Sequence, residues 1–143
     1  MPAAKIASGN ERRGGFRLRY VAIAVGGAVG ALLRYAVSGL AYSVFGEGFP
    51  WGTLSVNLLG CFLIGLLWQI FEQTALSPQL RALIFVGGLG AFTTFSTYGL
   101  ESVNLLRDGQ VRLSLLNILG SNILGIGCVF LGVVVARTVF NGR

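Results

Sequence analysis

Four apolar runs, at residues 20–45, 51–71, 80–106 and 113–139, constrain this chain more than any other feature. Each reaches the roughly 20 residues that a helix needs to cross a bilayer. Polar, glycine- or proline-bearing turns separate them: Gly46-Glu-Gly-Phe-Pro50, Glu72 to Gln79, and Leu106-Arg-Asp-Gly-Gln110. Charged residues make up 11% of the chain, against about 25% in soluble domains. With 143 residues there is room for one bundle and no second domain. The expected fold class is an all-α integral membrane protein, with residues 20–140 forming a four-helix transmembrane domain. Residues 1–19 read as a basic, mostly disordered tail.

The net charge of +6 would point to nucleic acid in a soluble protein. Here it belongs mainly to the ends and loops, where Lys and Arg set membrane orientation. Four spans put the N-terminus, the second loop and the C-terminus on one side, with Lys5, Arg12, Arg13, Arg17, Arg19, Arg81, Arg137 and Arg143. The opposite side holds Arg107 and Arg112. The bias predicts a multi-pass protein of the inner (plasma) membrane with a cytoplasmic N-terminus. An uncleaved first span fits better than a signal peptide, because the run is long enough to cross and lacks a convincing small-residue cleavage site.

Chemistry is limited by what the spans lack. There is no histidine, and Cys61 and Cys128 lie mid-span as small packing residues, so zinc and haem sites are excluded. A nucleophile with its base, or a carboxylate pair, cannot be assembled inside the spans, so the chain is not expected to be an enzyme.

The third run carries the strongest local signal. Gly87, Gly88 and Gly90 fall in four positions, and Thr93, Thr94, Ser96 and Thr97 follow, interleaved with Phe92, Phe95 and Tyr98. Glycine costs about 1 kcal/mol against alanine in a helix, and threonine competes for backbone hydrogen bonds. The helix is therefore expected to break near its middle. A break in lipid survives only inside protein or beside a polar cavity, and broken helices recur at midplane ion sites.

Polar residues recur on the neighbouring spans. Thr53 and Asn57 share a face of the second, and Asn117 and Ser121 share a face of the fourth, with Asn122 adjacent. Each alone reads as interhelical glue worth about 1 kcal/mol. Together with the hydroxyls of the third span they form a stripe of neutral donors, suited to replacing the water around a small anion. The edges of Phe95 and Tyr98 add the positive rim of the aromatic quadrupole. A cation path would use rings of carbonyls or carboxylates instead. Arg34, deep in the first span, either snorkels to an interface or supplies positive potential at the vestibule of an anion path. Glu101 shares a face with Tyr98; a salt-bridge or interface role is the plainer reading and gating the second.

Gly30-Ala-Leu-Leu-Arg-Tyr35, Gly52-Thr-Leu-Ser-Val-Asn-Leu-Leu-Gly60 and Gly87-Gly-Leu-Gly-Ala-Phe-Thr-Thr-Phe-Ser-Thr-Tyr98 together resemble the Fluc (CrcB) family of fluoride channels. The resemblance covers nearly the whole of the four spans, in order. It implies an antiparallel dimer of four-helix subunits, with fluoride pores at the subunit interface, serving passive export of cytoplasmic fluoride. It places Asn57, Phe95, Tyr98, Thr53, Ser96 and Ser121 at pore-side positions; Thr97 and Asn117 join them through the polar stripe. It implies a structural sodium ion (Na+) at the dimer centre, held by main-chain carbonyls placed here on Gly90 and Thr93.

This chain departs from the pattern in two ways. The second ring of the family's phenylalanine pair is Tyr98, which adds a hydroxyl. The strong basic bias suits a single orientation better than the two that an antiparallel homodimer requires. A homodimer stands first, and a heterodimer with an oppositely oriented homologue second. A small multidrug exporter is another four-helix antiparallel dimer, but it resembles this chain only in size. Such exporters rely on a glutamate in the first helix, where this span carries Arg34 and no acid. A non-transporting scaffold would use the polar residues purely as glue.

Overall fold

The computed structural model describes residues 9–72 and 74–140. Helix α1 spans Gly9–Phe45 and α2 spans Trp51–Glu72. The third crossing is assembled from α3 (Pro78–Arg81), a π-helical stretch (Ala82–Leu89), α4 (Gly90–Phe92) and α5 (Phe95–Arg107). Helix α6, Val111–Phe140, completes the bundle. Among the described residues four helical segments are long and apolar enough to cross a membrane, at Gly15–Phe45, Trp51–Glu72, Pro78–Arg107 and Val111–Val139.

At the N-terminus the structure differs from the expected tail, since α1 already begins at Gly9. Once a span has nucleated, each added residue gains a hydrogen bond without a new nucleus, and Glu11, Arg12, Arg13, Arg17 and Leu18 are good helix formers. Lys5 and Arg143, used in the charge count, lie outside the described residues.

The turns follow from local chemistry. Gly46, at φ 78°, ends α1 with its N–H on the Tyr42 carbonyl at 2.9 Å, a left-handed cap that favours glycine. Trp51 then stacks on Phe45 and Phe49, an aromatic cluster at the helix ends that suits the membrane–water interface. At the other end of α2, the Arg81 guanidinium sits 5.5 Å from the Trp68 ring centre. Nearby, Arg137 Nε donates to Gln69 Oε1 at 3.1 Å.

Helix α1 packs chiefly on the π-helical stretch, and α2 on α6. Both pairings use glycine for close backbone approach, as expected where no water drives helices together. A Cβ at Gly26 or Gly30 would run into the Leu83 or Gly88 carbonyl, and one at Gly87 would meet the Ile23 carbonyl. On the other side, Gly65 abuts Val129 and Gly132 abuts Phe62. Gly87, Gly88 and Gly90 stay helical, and at Gly87 the missing side chain lets α1 approach. The break falls after them, at Thr93 (φ −81°, ψ 159°) and Thr94 (φ −147°, ψ 118°).

Candidate functional site

Two residues of extended backbone inside a membrane-spanning helix leave polar groups that must be satisfied. Asn57, one helix away on α2, pairs with both backbone polar groups of one residue, Thr94. Its Oδ1 accepts from the Thr94 N–H at 2.8 Å, and its Nδ2 donates to the Thr94 carbonyl at 3.0 Å. Thr94 in turn caps α5, its Oγ1 accepting from the Thr97 N–H at 3.2 Å. Gly60, one turn along α2, has no side chain to obstruct Thr93, which packs against the space a Cβ would fill.

This rerouting also frees carbonyls. In a continuous helix the Thr94 N–H would reach Gly90 O and the Thr97 N–H would reach Thr93 O. Both amides donate elsewhere, to Asn57 and to the Thr94 hydroxyl. Gly90 and Thr93 thus lose the donors their carbonyls would otherwise have, which suits them to a hard cation that binds through oxygen. Among the described residues there is no cluster of His, Cys, Asp or Glu that could hold a metal by side chains.

The break opens a cleft of about 360 Å³ whose lining includes Asn57, Gly90, Thr93, Thr94, Phe95, Tyr98, Ser121 and Asn122. Phe95, the first residue of α5, is 82% exposed and projects from the bundle. Tyr98 is buried, and the two rings lie 5.4 Å apart between centres at 49°. The Tyr98 oxygen receives a hydrogen bond from Asn122 Nδ2 at 3.0 Å.

A second cavity, of about 350 Å³, is lined by Ala31, Arg34, Tyr35, Ser38, Thr53, Val56, Thr94 and Thr97. Arg34 therefore faces the far side of the same break, with Thr94 shared between the two cavities. Thr53 Oγ1 donates to Glu101 Oε1 at 2.8 Å, and Tyr42 donates to the same oxygen at 3.2 Å. Glu101 so ties α1, α2 and α5 together behind Thr53, outside the lining of this cavity, while its Oε2 is buried without a hydrogen-bond partner. Its hydrogen-bond partners are hydroxyls of α1 and α2.

The expected residues thus divide among different positions. Asn57, Phe95, Tyr98, Ser121, Gly90 and Thr93 meet in the first cleft. Arg34, Thr53 and Thr97 meet in the second. Ser96 is exposed, with its Oγ 3.5 Å from the Thr94 hydroxyl, outside the lining of both. Asn117 is fully buried between α5 and α6, donating from Nδ2 to Ser102 Oγ at 2.9 Å, and it also stands apart from the linings. Thr94 and Asn122 were not singled out as site residues from sequence. For the first, the available signal was a threonine, a residue type that caps helices, just before the run that resumes at Phe95.

The fold and site define a small polytopic membrane protein whose third crossing is broken beside a cleft of neutral hydrogen-bonding groups. Residues 21–133 match the family model described as "CrcB-like protein, Camphor Resistance (CrcB)". A protein of Magnetococcus marinus is 52% identical over 118 residues, covering 82% of this chain and 96% of the relative. One from Salinibacter ruber is 50% identical over 125 residues, covering 87% and 94%, and one from Maridesulfovibrio salexigens is 48% identical over 122 residues, covering 85% and 97%. All three are named fluoride-specific ion channel FluC. The chain belongs to the CrcB family.

Proposed function

We propose that this protein is a fluoride-selective ion channel that lets cytoplasmic fluoride leave the cell passively. The observation that carries the reading is the cleft at the helix break. It gathers the Asn57 amide, the Thr93, Thr94 and Ser121 hydroxyls and the Tyr98 phenol beside the Phe95 ring. Neutral donors can replace the water shell of a small hard anion without trapping it as a fixed positive charge would. The fluoride channels named among its relatives match it along most of both chains.

The functional unit we infer is an antiparallel homodimer with the pores at its interface. An open polar cleft facing lipid would leave donors unsatisfied, and the exposed Phe95 ring beside it lies where a second subunit would cover both. In this reading Asn57, Phe95, Tyr98 and Ser121 serve the narrow pore, with Thr53 and Thr97 along its polar flank, while Ser96 and Asn117 support it from outside the cavity linings. Arg34 raises the potential of the vestibule, drawing anions to the pore mouth. Glu101, held by two hydroxyls, would gate through Thr53, which lines that vestibule. Inner-membrane location with a cytoplasmic N-terminus follows from the charge bias.

The freed carbonyls of Gly90 and Thr93 would hold a structural sodium ion at the dimer centre. Bound there, it would supply a fixed positive charge and join the two breaks. Replacing sodium by N-methylglucamine at constant ionic strength should then lower Tm, because a ligand that binds only the folded state stabilises it. The drop expected is about 2–4 °C per kcal/mol of lost binding. An unchanged Tm in a sodium-free dimer would remove the ion from the proposal.

The direct test of function is fluoride efflux from liposomes carrying this chain alone, with chloride as competitor. Fluoride should leave while chloride is retained. The charge asymmetry, with Arg19, Arg81 and Arg137 opposite Arg107 and Arg112, favours a second reading in which an oppositely oriented homologue completes a heterodimer. Inserted protein that passes fluoride only after the homologue is added would establish that reading in place of the homodimer.

A further inference from the structure

Tyr98 and Asn122 form a pair whose hydrogen-bond direction can be worked out from its surroundings. Asn122 Nδ2 lies 2.7 Å from the Ile118 carbonyl, one turn back on α6. Exchanging the amide nitrogen and oxygen would put two acceptor oxygens face to face at that distance. The atom there is therefore the NH2 group, whose second proton reaches the Tyr98 oxygen at 3.0 Å. The phenol is the acceptor in that bond. Its own proton has no protein acceptor among the described residues.

We infer that Asn122 makes the Tyr98 phenol an outward donor to fluoride in the cleft, so that the pair acts as a specificity element of this channel; the inference rests on the channel reading above. Both residues line the cleft beside Ser121 and Phe95. The tyrosine side chain is buried, so its oxygen is held in place by the fold. Accepting from an amide polarises the O–H and strengthens it as a donor. Hydrogen bonds to an ionised acceptor are the strong ones. Asn122 is then a positioning residue: it does not need to touch the ion, since it acts by occupying the lone pair through which the phenol would otherwise turn its proton away.

The test is fluoride efflux from liposomes measured across fluoride concentrations, for the full chain and for Tyr98→Phe, Asn122→Leu and the double variant. Each single variant should raise the half-saturating fluoride concentration by about tenfold, the loss of one hydrogen bond to a charged group. In the Tyr98→Phe background, adding Asn122→Leu should change nothing more, because the donor it positions is already gone. A purely structural Asn122 would instead add its own effect in both backgrounds, and that result would overturn the pairing. Tyr98→Phe with unaltered half-saturation would overturn the inference alone, with channel function intact. Unmodified protein that inserts yet passes no fluoride would overturn the channel reading and this inference with it.

Discussion

Asn57→Leu is expected to abolish fluoride efflux and to destabilise the subunit together. Leucine fills nearly the same volume, so the change removes hydrogen bonds without opening a large void. Two bonds are lost, from the Thr94 N–H at 2.8 Å and to the Thr94 carbonyl at 3.0 Å. Each backbone group left without a partner costs about 1–3 kcal/mol, and in a membrane no water is at hand to compensate. The chain can recover the loss only by healing the helix across Thr93 and Thr94. Healing would return the Thr94 amide to Gly90 and the Thr97 amide to Thr93, taking both freed carbonyls out of use. It would also turn α5, and with it Phe95 and Tyr98, relative to α2. Efflux assays on reconstituted protein, with a thermal melt in detergent, measure both effects. A variant that keeps both its melt and its flux would show that Asn57 neither holds the break nor serves the pore. Asn57→Asp separates the two bonds: the carboxylate still accepts from the Thr94 N–H but has no proton for its carbonyl. Its stability should fall at least as far as that of Asn57→Leu, because an acceptor oxygen then faces the Thr94 carbonyl and a buried charge is left unpaired, while its negative charge in the cleft opposes anion flux.

The spans were legible because hydrophobic length alone settles what can cross a bilayer, and the ends of the turns at Gly46 and Gly109 follow from glycine chemistry. The break was legible as a tendency of the stretch from Gly87 to Tyr98, but its position was not. Three glycines look like the weakest point of a helix when propensity is the only guide. Their role became visible only with α1 alongside, where Gly26 and Gly30 bring two backbones together. The threonines, which cost less as helix residues, gave way because Asn57 offers the peptide at Thr94 an alternative partner. That partner is 37 residues away in sequence, and no local pattern encodes it.

The polar stripe shows the same limit from the other side. Helical spacing put Asn117 and Ser121 on one face correctly, yet burial separates them. Asn117 is enclosed by Ser102 and Ser114 in the α5–α6 contact, while Ser121 reaches the cleft. Asn122, one residue off the stripe, lies against the tyrosine that departs from the family pattern. Periodicity reports which residues share a face of one helix; the neighbouring helix decides which of them a solute can meet.

Phe95→Ile carries the other large expectation, and it separates pore from scaffold. At 82% exposure the ring contributes little to packing within its own subunit, so isoleucine should leave the subunit's melting temperature nearly unchanged. Fluoride efflux should nonetheless fall by roughly two- to tenfold. Isoleucine is comparably apolar but lacks the positive ring edge; if that edge helps the ion by as much as it helps a second ring, about 0.5–1.5 kcal/mol, the barrier rises by that amount, with each 1.36 kcal/mol worth about tenfold in rate. Cross-linking or mass photometry of the variant tells whether the proposed dimer persists, which decides between two origins of a lost flux. An intact dimer with slow efflux places the ring edge in the conduction path. A dissociated one makes Phe95 an interface anchor instead, its exposed area being the surface a partner covers. A variant that stays dimeric and conducts like the parent would favour the scaffold role for the aromatic pair, because only a ring that meets the ion can lower flux while leaving both fold and assembly in place.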